Sequence, residues 1–512
     1  MRTIDIAEAK LPIVLAIDVG SSSVRGLLYD CGGQPVDRSE AQFPYRQHIT
    51  ADGGSESNPA ALFEFVILCV DEVVAAAAQS RVPISAVAIS SFWHGLMGLD
   101  NEGEPATPVY MWSDKRSGPS AITLGDKIGA AATHQRTGCR VHSSYWPAKL
   151  RWLAKVRPEQ FAAVQTWVSF TDYVHSRFCG RLATSISMAS GTGLLNRAAL
   201  DWDREILDEV GIPASSLPAI VDRSEPYPLL RDPYASRWPT LRDVPWYPAI
   251  GDGAAANIGA GCIGQARIAL TIGTSAAMRL IVPDSMNIGA GSALPHHLWE
   301  YRLDRDHIVL GGALSNGGNV SGWMAQHLAN GDFESLTATA ESVGPDSHGL
   351  TVLPLFAGER SPGWIEGATG TITGLRLSTT AGELFRATLE STAYRLAAIY
   401  DDLKRLAADN HEIHANGAAV LGSPLWLQII ADTLGHPIDA VDAEAEASAR
   451  GAALCVLESI GAISSLDSVE SAVNQRYDPG SARHAIYAAA RNRQSSLEHA
   501  INGMTRGHGA GD

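Results

Sequence analysis

Apolar residues along this chain fall into short blocks whose period switches between that of a strand and that of a helix. Residues 13–17 (IVLAI) and 24–30 (VRGLLYD) read as two strands around the small-residue tip DVGSSS, closed by Cys31-Gly32-Gly33. Across 59–80, Leu62, Phe65, Val66, Cys69 and Val73 recur at helical spacing, and 84–90 follows as a short apolar strand. A helix is predicted over 147–156, with Leu150, Leu153 and Ala154 on one face. Eight of the 26 prolines then fall within the 36 residues 213–248, so regular structure there should be sparse.

The second half opens on the same pattern. Residues 267–284 (RIALTIGTSAAMRLIVPD) read as two apolar strands around a Gly/Thr/Ser tip, and Gly20-Ser21 matches Gly273-Thr274 at an offset of 253 residues, about half the chain. Further on come a buried-type strand (351–356), a long amphipathic helix (383–406), a short strand (418–421) and helices at 424–434 and 447–460. Both halves are therefore mixed α/β, as a duplication requires. The tail beyond Gly480 is rich in Ala, Arg, His and Gly; a helix is expected over 481–500, with the last ten residues mobile.

Composition narrows the class. The 512 residues are 45% hydrophobic and 18% charged, enough apolar material for two ordinary domains and too much for a disordered chain. Formal charge is 39 − 55 = −16, with no Lys/Arg run longer than two, which argues against nucleic acid or an anionic membrane as partner. With only six lysines, a phosphate site must rely on Arg, backbone N–H groups or a metal ion. No stretch of 18 apolar residues exists, the N-terminus has neither signal-peptide nor anchor character, and six scattered cysteines form no CxxC pair. A cytoplasmic protein with reduced thiols is expected.

Several formal motifs fail on context. GAGCIG (259–264) matches the dinucleotide pattern GxGxxG, but a strand follows it rather than a helix, so close packing of small residues explains it better. No Gly-Lys dipeptide exists, so a Walker-type loop is excluded. His411/His414 and His296-His297 lack a further ligand pattern. The two Gly/Ser/Thr tips remain. They are either ordinary hairpins or anion cradles, and in the second case Asp18 at the mouth of the first is a natural partner for Mg2+. Asp252, in AIGDGAAANIGAG, reads equally as a helix N-cap or as a carboxylate that accepts a proton from a substrate hydroxyl.

These segments together resemble the FGGY carbohydrate kinases, from about Ile13 to about Ile460. The most specific match is GTITGLRLSTTAGELFRATLE (370–390), supported by DVGSSS, MWSDKR (111–116), TIGTS (271–275), GERSPGW (358–364) and NGAAVLGSPLWLQIIAD (416–432). The resemblance implies an α/β, two-domain actin-like ATPase (ribonuclease H-like) fold with a central cleft. Residues 1–257 would bind sugar and 258–512 nucleotide, with ATP and Mg2+ as cofactors. It implies that Asp18 positions Mg2+ and that Gly20, Ser21, Ser22 and Ser23 clasp phosphates opposite Gly273, Thr274 and Ser275. Adenosine would lie against Gly311-Gly312 and the turn Asn416-Gly417-Ala418, where the family usually has Gly-Gly and this chain has Asn416. Asp252 would be the catalytic base.

On the sugar side, the resemblance places Trp93, His94, Trp112, Asp114, His142, Tyr145 and Lys149 around a sugar or aldonate. Within the family, residues 137–153 and 185–203 look most like gluconokinases, although Trp93 replaces a smaller residue and Ser143 stands where those enzymes usually have Pro. A xylulokinase or other pentulose or polyol kinase would keep the same ATP motifs, and a non-catalytic actin-like sugar sensor is the alternative from another class. Homodimers are common in the family. A gluconate site needs a positive cleft, expected from Arg25, Arg116, Arg140 and Lys149.

Overall fold

In the computed structural model, which describes residues 3–6, 8–286, 293–441, 446–471 and 473–508, each half of the chain is built on one mixed sheet. In the first, β1 (Ile13–Val19) and β2 (Ser23–Tyr29) form the expected antiparallel hairpin, and β3 (Ala41–Pro44) adds to it antiparallel. On the other side β4 (Ile84–Ser91) and β5 (Ile250–Gly251) run parallel, giving the order β5-β4-β1-β2-β3. Ile13 to Ile17 are all buried, the signature of a central strand covered on both faces. Helix α1 (Pro59–Gln79), capped by the Asn58 side chain on the Ala61 amide, packs on the hairpin.

The second sheet contains β6 (Arg267–Ile272), β7 (Ala276–Pro283), β8 (Trp299–Arg302), β9 (His307–Leu314), β10 (Glu412–Asn416), β11 (Ile438–Val441) and β12 (Val473–Tyr477), in the order β8-β9-β7-β6-β10-β11-β12. Its five inner strands, β11-β10-β6-β7-β9, repeat β5-β4-β1-β2-β3 position by position with the same parallel and antiparallel senses. The duplication read from two Gly-containing tips thus extends to whole sheets.

Two helices join the halves. α2 (Asp252–Gly259) crosses α4 (Ala447–Ser459), with α3 (Gly318–Ala329) lying between them in sequence. A Cβ on Gly259 would sit 1.9 Å from the Ala447 carbonyl oxygen, and one on Gly451 1.8 Å from that of Ala255, so the backbones touch where these glycines stand. This is the small-residue packing expected for Gly259. Although α4 belongs to the second half of the sequence, residues Ala449 to Leu457 join the apolar core of the first sheet. A cut at 257/258 separates the two sheets, and the chain then returns to the first core through α4.

Some elements differ from expectation. Residues Ala418–Leu421 are helical, not a strand: the strand is β10, and Gly417, at φ 99°, turns the chain out of it. The strand predicted for 351–356 stops at Leu353, since Pro354 cannot donate to a ladder. The long helix runs Ala381–Leu403, started by a Thr380/Glu383 capping box. The tail helix, Ser481–His508, outruns its predicted end, and the last four residues lie outside those described. The proline-rich segment holds only short pieces such as Ala219–Val221 and Tyr234–Arg237. Among the described residues no helix is long and apolar enough to cross a membrane, and all six cysteines are free.

Candidate active site

The repeat brings the two tips to one cavity of about 150 Å³, with Ser21 of the first and Ser275 of the second in its wall. The first tip is braced from below: the Tyr45 hydroxyl donates to the Gly20 carbonyl (2.5 Å) and the Gln47 amide to that of Ser21 (2.7 Å). The second is clamped by α3, whose Gly318 and Asn319 amides donate to the Gly273 and Thr274 carbonyls (2.8 and 3.0 Å). A Cβ on Gly417 would lie 2.5 Å from the Ile272 carbonyl oxygen, so the Asn416-Gly417-Ala418 turn abuts the same tip, and the buried Asn416 Nδ2 has no partner. Three backbone turns thus converge on one place, as a phosphate or nucleotide cradle requires.

Gly311 and Gly312 are not part of that cradle. Both lie inside β9, where a Cβ would meet Trp299 on one residue and Ile399 on the other; they are glycine for packing. The glycines that do reach the cradle are Gly317 and Gly318, at the start of α3, where a Cβ on Gly318 would lie 2.5 Å from the Gly273 carbonyl oxygen. The NGGN run before a helical pattern was the available signal.

Two carboxylates sit at the junction. Asp18, next to the tip on β1, accepts a hydrogen bond from the Ser90 hydroxyl opposite it in register; burial, helped by the nearby Asp252, raises its carboxyl to about 6. Asp252 is the first residue of α2, not its N-cap, and accepts from the Gly253 amide (2.8 Å). Burial raises it too, and Arg279 works against that rise.

The acceptor wall begins with Trp93. Its ring lies in a slot that exists because Gly191, Gly251 and Gly253 lack side chains: Cβ atoms there would come within 2.5, 1.8 and 2.8 Å of it. Its Nε1 donates to the Ser187 carbonyl (2.9 Å), and Tyr301 packs edge-on at 4.9 Å. His94 follows at φ 69°, with Nδ1 donating to the Gly191 carbonyl; burial pushes its pKa down to about 3, so neutral Nε2 is left as an acceptor beside the cavity. Trp112 also lines the cavity, with the Arg360 guanidinium stacked 4.5 Å over its ring.

The other predicted acceptor residues do not line it. Asp114 is taken up by Arg116 and by the Ser55 amide (3.0 Å). Lys149 is covered and donates to the carbonyls of Ser143 (2.9 Å) and Ser144 (2.5 Å); burial lowers its pKa to about 7, so it is not the expected free cation. Tyr145 and His142 stand behind the wall, Tyr145 sharing a hydroxyl hydrogen bond with Tyr301 (2.6 Å) and packing on His94, His142 packing on Trp364. Arg25, Arg116 and Arg140 also stay out of it; Arg25 pairs with Glu446 and Arg116 with Asp114 and Glu56.

The positive charge comes instead from the second half, through Arg279 on β7 and Arg360. Nε and Nη1 of Arg279 and Nε of Arg360 are buried without hydrogen-bond partners. Burial, with Arg360 adding to it, lowers Arg279 to about 10, still protonated at neutral pH. Sequence reading missed both, together with Trp299 and Tyr301. An arginine in the middle of the apolar strand AAMRLIVP was the signal for Arg279.

Two duplicated α/β halves with opposed Gly/Ser/Thr tips, two carboxylates at the end of the first sheet and a cavity lined by both halves define an actin-like phosphotransferase. The N-terminal domain profile of the FGGY family of carbohydrate kinases matches residues 13–259 and its C-terminal profile residues 268–457, so the chain belongs to that family and is an ATP-dependent sugar kinase. It is 28% identical to a gluconokinase of Bacillus subtilis (strain 168) over 91% of each chain. A gluconate kinase from Lactobacillus acidophilus superposes with TM-score 0.85 at 26% identity, covering 96% of this chain and 98% of that one. A xylulose kinase from the same organism does so with TM-score 0.86, also at 26% identity and with the same coverage. Kinases of different acceptors align over the same length, so the acceptor must be read from the cavity.

Proposed function

We propose that the chain phosphorylates an aldonate, gluconate, at its terminal hydroxyl with ATP, giving 6-phosphogluconate. The observation that carries this reading is the pair of arginines, Arg279 and Arg360, which bring guanidinium N–H groups without protein partners to the cavity that holds Asp252. A carboxylate supplies charged acceptors that fit both, whereas the hydroxyls of a neutral sugar accept without the charge and therefore more weakly. The similarity to gluconate kinases supports the same choice.

In this mechanism Trp93 forms the flat wall against the carbon chain and His94 Nε2 accepts from a hydroxyl. Asp252 takes the proton of the attacking hydroxyl as its oxygen approaches the γ-phosphorus in line. Backbone groups of the two tips hold the phosphates, and closure of the halves excludes water as a competing acceptor. Asp18 is a hard oxygen donor with little neutralisation around it and suits Mg2+, which when bound offsets phosphate charge. The test is an ADP-release assay over gluconate, D-xylulose and glycerol. Gluconate should have the highest kcat/KM; a clear lead for D-xylulose or glycerol overturns the proposal.

A further inference from the structure

One contact crosses the halves on the acceptor side and has no part in the mechanism above. The loop from Gly358 to Gly367 belongs to the second half; it sends Arg360 into the cavity, rests Trp364 on His142 and Tyr145, and ends in Glu366. Glu366 accepts a hydrogen bond from the Ser143 backbone N–H at one oxygen and from the Ser143 hydroxyl at the other (3.0 Å). His142 Nδ1 accepts from the Ser144 amide (3.1 Å), which leaves the proton on Nε2, 3.4 Å from Glu366. The opposite end of the Ser143 residue is fixed as well: its carbonyl accepts from Lys149 Nζ (2.9 Å) and Ser117 Oγ (3.2 Å).

We propose that Glu366 is a positioning residue, a latch by which the second half grips the Ser143 turn and so couples closure of the halves to assembly of the acceptor wall. The turn it grips leads directly to Tyr145, which packs on His94 at 5.0 Å and shares a hydrogen bond with Tyr301, so displacement of Ser143 reaches two of the rings that line the cavity. Ser143 is, with Trp93, one of the two positions read from sequence as departing from the gluconokinase-like pattern, and this departure supplies both hydrogens: a proline there has neither an N–H nor a hydroxyl. Lys149, read from sequence as a substrate cation, acts in the same device by holding the far side of the turn. The inference rests on kinase activity and not on gluconate, so it is measured with whichever acceptor the wild-type enzyme uses best.

The experiment compares Glu366→Ala, Glu366→Gln, Ser143→Ala, Ser143→Pro and the Ser143→Pro/Glu366→Ala double variant, with thermal melting alongside kinetics. Glu366→Ala should raise KM for the acceptor about tenfold, the size of one charge-assisted hydrogen bond, and raise ATP hydrolysis without acceptor relative to transfer, with KM for ATP unchanged and Tm lowered by no more than about 4 °C. Glu366→Gln and Ser143→Ala keep the hydrogen bond from the backbone N–H of residue 143 to a side-chain oxygen of residue 366 and should stay within about threefold of wild type. The double variant should be no worse than Glu366→Ala, because both substitutions remove one interaction. The latch is refuted if KM for ATP rises in step with that for the acceptor, if loss of activity tracks loss of Tm, if Glu366→Gln is no better than Glu366→Ala, or if the double variant is additive.

Discussion

Replacing Arg279 with methionine keeps most of the side-chain volume and removes the charge that the cavity presents to an anionic acceptor. The buried Nε and Nη1 of Arg279 are without partners, and at a pKa of about 10 the group is charged throughout the useful pH range. Two hydrogen bonds to a carboxylate, at about 1.5 kcal/mol each as the low end for charged partners, come to about 3 kcal/mol, or a factor of about 150 in kcat/KM for gluconate. D-glucitol has the same carbons and no carboxylate, and its kcat/KM should change less than about fivefold. A second effect must be kept apart. Arg279 is the leading influence holding the Asp252 carboxyl down against burial, so its loss lets that pKa rise and moves the acid limb to higher pH for both acceptors. ADP release should therefore be measured as a full pH profile, with selectivity read on the alkaline plateau. Equal losses for gluconate and glucitol on the plateau, or an acid limb that moves down, would refute the assignment.

Asp252→Asn keeps the shape of the site and removes the proton acceptor; turnover should fall about 100-fold or more while calorimetry finds ATP affinity intact, and retained turnover excludes Asp252 from the chemistry. Asp18 must be ionised to hold a cation, and its raised carboxyl is protonated below its pKa, so kcat/KM in excess Mg2+ should decline as pH falls through about 6; a profile flat down to pH 5 contradicts this. Gly451→Ala sets a methyl 1.8 Å from the Ala255 carbonyl oxygen and should cost about 1–3 kcal/mol or more, seen as a lowered Tm, whereas unchanged melting means that α2 and α4 separate freely.

The hairpins and the duplication were legible because a Gly/Ser tip between two apolar runs is a local signal, whereas the strand order, set by pairings between distant segments, was not. Asp18 and Asp252 stood out as candidates because one adjoins such a tip and the other opens an Ala-rich helix, but the residues alone left each with two readings and the assigned roles came from the family resemblance. What failed depended on direction. Sequence showed that Lys149 and Asp114 carry charge, but not that one points at the Ser143 and Ser144 carbonyls and the other at Arg116 two residues on. Gly311-Gly312 was chosen by residue type, when the glycines answer to Trp299 and Ile399 from distant parts of the chain, while Gly317 and Gly318 a few residues later begin α3 against the Gly273–Ser275 tip. Arg279 lay hidden in an apolar strand whose pattern announces only burial.

The net charge of −16 first suggested that an aldonate would need basic residues from the sugar-binding half. That half spends its cations on its own structure: Arg116 on Asp114 and Glu56, Lys149 on two carbonyls. The cavity instead sets Arg279 and Arg360, both brought in by the second half, against Asp252 at the start of the junction helix, with Asp18 close behind it. Under the proposed function, an acceptor carboxylate held by the arginines and a terminal hydroxyl held at Asp252 would tie one substrate to both halves at once. Such a substrate favours the closed arrangement by its own binding, because an open cleft separates the groups that hold its two ends. A neutral polyol can satisfy Asp252 but offers the buried guanidinium groups only hydroxyl oxygens, without the charge assistance that roughly doubles the strength of a hydrogen bond. Selectivity for an anionic acceptor and the exclusion of water are on this reading consequences of a single arrangement, cations on one half and the proton acceptor at the boundary of the other.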